Sequence, residues 1–529
     1  MLDEVLARLG PDATGYLLNC SASELEQGKP HTLTPQQRGA LEFLHALEDV
    51  FAPSPFGEGA VDSRWTANLA SPGCQGIDSL ANEVRLHCGG ELPKAPATFS
   101  ELERTLADLA LRVYPALLVK GKGTERESRP SFSVHNHDLS GPFQRMVITD
   151  TVLSEAFVHS GEDGSDQKCL VTPSLGGRRQ LMGFADTLIW AGWKMAKAHD
   201  KAPDAGQLAK AAVSSLRVVR EAISGKDVQI PVRIGVAGVL LPAGTASLEF
   251  PWGKVRRVDE TDQIFIGTTP LKGSLARGNE DSEDLAIAYS GDLVLETTCS
   301  YTVKVVDSEQ MQGIEFKSGP QQEIQRKFES IALGILLTSP EARPVVVRAW
   351  QSVLDPLIDG IPISWSEVDR NWQISPRRLT EEEVFSWQLW SARVQEFRIP
   401  EIGIAIRRAL AATAYREAPE DALIDAVTGW ENLVGTRANT VSSVTGALAR
   451  LLTEQDGDVA MAKRKLANVY DARSRLVHGD PKTEDSVVRE NSIDAVMTLL
   501  RALRKIFDTD RHLLDYSKSS ERARILLDE

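Results

Sequence analysis

The chain holds 529 residues, too many for one hydrophobic core, so roughly two to four domains are expected. With 42% hydrophobic and 25% charged residues it has the make-up of a folded protein, which excludes a disordered or fibrous chain. A net charge of −15 works against non-specific binding to nucleic acid, yet residues 401–529 carry 19 basic against 21 acidic side chains, so the excess acid lies in the first 400 and the C-terminal part is the one that tolerates RNA.

The start, Met1-Leu2-Asp3-Glu4, is acidic and lacks the features of a secretory signal, and no stretch reaches the roughly 20 apolar residues of a membrane helix. A cytoplasmic protein with no membrane contact is expected. Cys20, Cys74, Cys88, Cys169 and Cys299 are sparse and form no Cys-x-x-Cys pair, which argues against a disulfide framework and a zinc site and predicts free thiols.

In chain order, residues 1–225 read as a mixed helical and loop region, with helical spacing at 34–50 and 99–113, an Ala/Leu/Val-rich helix at 204–223, and Pro/Gly/Ser-rich loops at 52–60 and 121–133. His135-Asn136-His137-Asp138 has metal-type residues but no second ligand group at a recognisable spacing, so it reads as a polar surface loop. Gly121-Lys122-Gly123-Thr124 lacks the full spacing of a phosphate loop, and no nucleotide is assigned to it.

Residues 226–320 change period. Ile230, Val232, Ile234 and Val236 alternate with Gln229, Pro231, Arg233 and Gly235, and Leu293, Leu295, Thr297, Cys299, Tyr301, Val303 and Val305 repeat that period, which predicts a small antiparallel β domain. Residues 321–398 return to helical spacing at 324–337, 344–358 and 380–397, the last opening on a Thr380/Glu383 capping box. Trp350, Trp365, Trp372, Trp387, Trp390 and Trp430, six of the ten tryptophans, fall between 350 and 430, as packing between domains would place them.

Residues 399–529 predict an all-α bundle of helices at 402–417, 420–434, 437–455, 458–478 and 486–508, antiparallel because their connections are short. Apolar seams run through Leu423, Val427, Trp430 and Val434, through Val441, Val444, Leu448 and Leu451, and through Ile493, Val496, Leu500, Leu503 and Phe507. The fourth helix opens on Asp458 and stops at Gly479-Asp480-Pro481, which makes His478 its last residue. Its inward stripe, Leu466, Val469, Arg473 and Val477, puts an always-charged guanidinium in a core position, where it is either paired, with Glu431 as the obvious carboxylate, or borders a solvent-filled cleft. His478, at the negative end of the helix dipole, is placed where its protonated form is favoured.

The run Arg473-Ser474-Arg475-Leu476-Val477-His478-Gly479, preceded by Tyr470 and with Gly429-Trp430-Glu431 upstream, resembles the signature of HEPN domains, and of their Apea-like branch in particular, over residues 399–510. The resemblance implies a metal-independent endoribonuclease without cofactor, whose homodimer brings two Arg/His pairs into one composite site. His478 would transfer the proton and Arg473 would clamp the phosphate, leaving a 2′,3′-cyclic phosphate and a 5′-hydroxyl. Ser474 stands where many members carry Asn, Asp or His. Arg475 is either a second phosphate contact or a surface charge, and Tyr470 reads as a core residue. Lys463-Arg464-Lys465 is either a solvated face or an extension of the RNA footprint. The expected whole is an α+β multidomain protein, a defence or toxin-like effector of the abortive-infection kind, whose first 398 residues sense a phage-derived trigger or restrain the nuclease. The alternative is a catalytically inactive HEPN module that binds nucleic acid or nucleotide, or only dimerises.

Overall fold

The computed structural model describes residues 1–26, 33–51, 58–73, 78–119, 132–157, 168–172, 176–178, 180–265, 291–307, 319–342, 344–357, 376–454, 457–479 and 484–528. The N-terminal region forms α1 (Leu2–Leu18), α2 (Ala22–Glu26), α3 (Pro35–Phe51), α4 (Glu58–Ala70), α5 (Leu80–His87), α6 (Glu101–Leu117), α7 (Ser140–Thr149), α8 (Phe184–His199) and α9 (Ala205–Ile223). The helices expected at 34–50, 99–113 and 204–223 are α3, α6 and α9. Ser100 and Asp204 start α6 and α9 through reciprocal capping boxes with Glu103 and Gln207. The loop expected at 52–60 lies outside the described residues over 52–57 and opens α4 over 58–60; that at 121–133, with Gly121-Lys122-Gly123-Thr124, lies outside them up to residue 131.

Among the described residues there are ten strands: β1 (Lys168–Val171), β2 (Gly176–Arg178), β3 (Val228–Ala237), β4 (Val239–Leu240), β5 (Ser247–Phe250), β6 (Gly253–Arg257), β7 (Leu293–Tyr301), β8 (Lys304–Asp307), β9 (Val347–Val353) and β10 (Arg377–Arg378), of which β3, β7 and β8 cover the alternating segments. The main sheet has the order β5-β6-β7-β3-β9 and is antiparallel throughout. The two alternating stripes read from the sequence are register partners, Ile230 opposite Cys299, Val232 opposite Thr297, Ile234 opposite Leu295 and Val236 opposite Leu293.

The segment 344–358, expected as a helix, instead supplies strand β9, so the sheet draws on residues beyond 320. β9 is buried on both faces, which hides the two-residue period, and the β-branched run Val345, Val346, Val347 favours the extended chain. Gly235 in β3 makes the pairing possible, because a Cβ there would meet the Trp350 ring at 2.1 Å.

Helices α10 (Gly319–Thr338) and α11 (Glu381–Phe397) pack together, and α10 also lies against β7 on one side and the C-terminal helices on the other. The Thr380/Glu383 capping box forms: Glu383 N–H donates to Thr380 Oγ1 at 3.2 Å and Thr380 N–H to Glu383 Oε2 at 2.9 Å. Trp350, Trp387, Trp390 and Trp430 are buried, whereas Trp365 and Trp372 lie outside the described residues. Trp387 sits between layers, its ring edge-on to Phe250 of β5 and its Nε1 donating to the Ile331 carbonyl of α10 at 2.9 Å.

The C-terminal helices are α12 (Gly403–Leu410), α13 (Pro419–Val434), α14 (Thr440–Leu452), α15 (Val459–Val477), α16 (Asp485–Asp508) and α17 (Ser519–Asp528). The first ends in one π turn, Ala411–Tyr415, closed by Arg416 N–H to the Ala411 carbonyl at 3.0 Å. α13 is the central rod, touching α12, α14, α15, α16 and α17. The apolar seams hold except at Val441 and Ile493, which are exposed: α14 is buried from Val444 onward, and the covered face of α16 passes through Val488, Ser492, Ala495 and Val496 instead of Ile493.

Helix α17, which the sequence reading did not anticipate, holds Arg522, buried to 1% exposure. Its Nε donates to the Leu433 carbonyl at 2.7 Å and one Nη to the Asn432 carbonyl at 2.9 Å, satisfying acceptors that the end of α13 leaves open. The other Nη donates to the Tyr516 carbonyl at 2.5 Å. Arg522→Ala strands these buried carbonyls and should lower stability by about 3 kcal/mol in urea unfolding followed by tryptophan fluorescence. A loss below about 0.5 kcal/mol, the range of an ordinary surface change, would contradict this capping role.

Candidate active site

Arg473 and His478 both ride on α15. The helix starts where the Asp458 carboxylate accepts Met461 N–H at 2.9 Å and ends where His478 N–H returns to the Ser474 carbonyl at 3.1 Å. Gly479 then turns left-handed, φ +73°, as the glycine of the stop suggested, while Asp480 and Pro481 lie outside the described residues. His478 is therefore the residue that caps the helix, one past its last helical position, and its side chain is exposed.

The inward face of α15 is Leu466, Val469, Tyr470 and Ala472, with Leu476 partly buried behind them. Val477, expected on that face, is 51% exposed. Leu476, seven residues on from Val469, continues the row and takes the last covered place. Arg473 is half-buried on this face, and its Nε is enclosed with no hydrogen-bond partner. Among the described residues no ion pair within 4.0 Å reaches its guanidinium.

The pairing of Arg473 with Glu431 that the sequence offered does not form. The Tyr470 hydroxyl donates to Glu431 Oε1 instead. One helical turn before Ser474, Tyr470 faces α13 and meets the half-buried carboxylate there. Tyr470 is thus a core residue with a polar tie at its tip. Burial, then the hydrogen bond to Glu431 and its negative charge, push the Tyr470 hydroxyl up to about 12, against the opposing charge of Arg473. Nothing in a single sequence links positions 39 residues apart, so this bond was beyond the reach of motif reading.

Gly429-Trp430-Glu431 faces two helices. A Cβ at Gly429 would meet Leu499 Cδ2 at 2.6 Å, so glycine lets α13 approach α16 closely. Trp430 is fully buried with its Nε1 donating to the Ala495 carbonyl at 3.1 Å, and Glu431 turns towards α15. Two helices are fixed on α13 by neighbouring residues, and the Tyr470–Glu431 bond is set between them.

The remaining candidates are placed as follows. Arg475 pairs with Asp471 at 3.2 Å on the exposed side, and Ser474 is half-buried, its carbonyl taken by His478. Lys463 donates to Ser442 Oγ at 3.0 Å and Lys465 pairs with Asp494 at 3.1 Å, while Arg464 is exposed. His135, Asn136 and Asp138 are exposed on a turn, as expected, but the His137 side chain points inward and is buried, with Nε2 donating to the Ala70 carbonyl at 2.7 Å, and burial pushes its pKa down. Asp138 pairs with Arg112. Among the described residues no cluster of three or more His, Cys, Asp or Glu is arranged to hold a metal ion, and no helix is long and apolar enough to cross a membrane. Cys20, Cys88, Cys169 and Cys299 are free thiols, and Cys74 lies outside the described residues.

No protein-family model, no curated protein and no solved structure matches this chain.

Because Glu431 raises the Tyr470 pKa, Glu431→Gln should bring the Tyr470 titration, followed by the NMR signal of its ring Cζ, down from about 12 towards the ordinary 10. The folded-state value lies above the unfolded one. The stabilisation is therefore complete below pH 10 and is lost as pH rises towards about 12. An unmoved titration in Glu431→Gln would contradict the bond.

Proposed function

We propose that the protein is a metal-independent endoribonuclease of the HEPN type, in which Arg473 holds the scissile phosphate and His478 moves the proton. The observation that carries this reading is the state of Arg473: its Nε is enclosed without a partner while Glu431 is bonded to Tyr470, so among the described residues no carboxylate pairs with the guanidinium and its charge is open to an external anion. Half-exposed and one turn from a helix end that carries an exposed histidine, it suits a phosphate rather than a second carboxylate.

RNA brings its own nucleophile. The 2′-hydroxyl loses its proton to a base and attacks phosphorus, the P–O5′ bond breaks, and the leaving 5′-oxygen takes up a proton, giving a 2′,3′-cyclic phosphate and a 5′-hydroxyl. His478 serves one of these transfers, and Arg473 stabilises the charge that builds on the phosphate oxygens. Five residues along a helix separate two side chains by about 140° around the axis and about 7.5 Å along it. One helix does not bring both to one face, which supports a site completed by a second copy. Ser474 and Arg475 border the site without an assigned step, Arg475 being engaged with Asp471. On this reading the residues before the bundle restrain the nuclease until a trigger, of phage origin in a cytoplasmic defence system, releases it.

A second reading, an inactive module that binds nucleic acid or dimerises, is favoured by one feature: no described group hydrogen-bonds the exposed His478 ring to orient it, as a proton-transfer residue usually requires.

Cleavage of single-stranded RNA by wild type, Arg473→Ala and His478→Ala in excess chelator separates the two. The ribonuclease reading expects chelator-resistant cutting with cyclic-phosphate ends, reduced about 10²–10⁴-fold in each variant while circular dichroism stays native. RNA binding without cutting by the wild type, retained in His478→Ala, would establish the inactive module instead.

A further inference from the structure

Glu431 lies within reach of Tyr470, and Tyr470 within range of the Arg473 charge, yet the carboxylate is bonded to the hydroxyl and not to the guanidinium. A phenol hydroxyl donating to a carboxylate already makes a charge-assisted hydrogen bond, but in a partly buried setting a guanidinium would add an opposite full charge and a two-pronged fork matched to the carboxylate. The phenol therefore occupies the place of the stronger partner. Its ring is anchored by burial at 7% exposure, and its tip is carried to Glu431 by the packing of α15 on α13. Trp430 and Gly429 in turn fix the height of Glu431 on α13.

We infer that Tyr470 is a positioning residue that holds Glu431 away from Arg473 and so keeps the guanidinium available to an RNA phosphate. The inference rests on the phosphate-binding role proposed above for Arg473, and it adds a regulator to that site. Without the hydroxyl, Glu431 has a half-buried carboxylate to satisfy and Arg473 an enclosed, unpartnered Nε–H to offer; each completes the other. The resulting internal pair removes the charge that phosphate would meet. The residue that matters for anion binding is thus one that touches no anion, and the damage done by its loss is repaired by removing a second charge.

Tyr470→Phe keeps the ring and its packing, so the fold is retained. In protein labelled with 15N at arginine, the Arg473 Nε–H signal should shift and exchange more slowly in Tyr470→Phe than in wild type, and return to its original state in Tyr470→Phe with Glu431→Gln. In a His478→Ala background, where RNA is bound without turnover, Tyr470→Phe should weaken binding of a fluorescein-labelled single-stranded RNA about tenfold, the worth of roughly one charge-assisted hydrogen bond, and Glu431→Gln should restore it. An Arg473 Nε–H unaffected by Tyr470→Phe overturns the inference, as does weakened binding that Glu431→Gln fails to rescue, because Tyr470 would then act through packing alone. If the Nε–H responds and is rescued while RNA affinity never changes, the holding role stands and the phosphate role of Arg473 falls.

Discussion

A guanidinium stays charged at every pH a folded protein meets, and α15 carries one into a helix face that its neighbours partly cover. That constraint sets the polar chemistry where α15 meets α13. A charge in this position ordinarily draws in a carboxylate. Here α13 provides one, in Glu431, and α15 itself engages it through Tyr470. Elsewhere in the same bundle the ordinary solution appears: Asp425, buried on α13, binds Arg408 and Arg416 together, and Arg522 spends its donors on the carbonyls that end α13. Arg473 departs from both patterns.

The bundle is not isolated from the rest of the chain. Helix α10 touches β7 of the sheet and also α12 and α16, and the buried Glu329 of α10 pairs with Arg398 at 2.5 Å, at the point where the chain leaves α11 for the bundle. Arg393 of α11 reaches Asp508 at the end of α16 at 2.7 Å. One continuous set of buried apolar side chains runs from Val5 to Leu526. The first 398 residues are therefore joined to the bundle by packed side chains and, across the boundary, by the Arg393–Asp508 ion pair.

Much of this was legible in the residues. The two strands and their antiparallel setting followed from alternation at Ile230–Val236 and from Leu293 on, though not their register, and the helix ends at Asp458, Thr380 and Gly479 followed from capping chemistry. Strand β9 was missed because burial on both faces erases the two-residue period, leaving Val, Ala and Trp that also suit a helix. Helix α17 was missed because its polar sequence carries the buried Arg522, which composition assigns to the surface. At the candidate site, the sequence put Arg473, Tyr470 and Glu431 in one neighbourhood and offered Glu431 as a partner for Arg473 beside the alternative of an open cleft, but gave no sign that Tyr470 takes the carboxylate. Charge favours Arg473 on paper; the choice is made by which side chain of α15 faces α13 at that level, and that depends on helix packing that no local pattern encodes.

The most direct measurement is a structure of the protein with an RNA whose 2′-hydroxyl at the cleavage position is replaced by hydrogen. A phosphate within about 3 Å of the Arg473 guanidinium, with Tyr470 still bonded to Glu431 and a His478 ring beside the bridging oxygens, is the arrangement predicted. RNA bound away from Arg473, or an Arg473 turned onto Glu431 while RNA is in place, would contradict it.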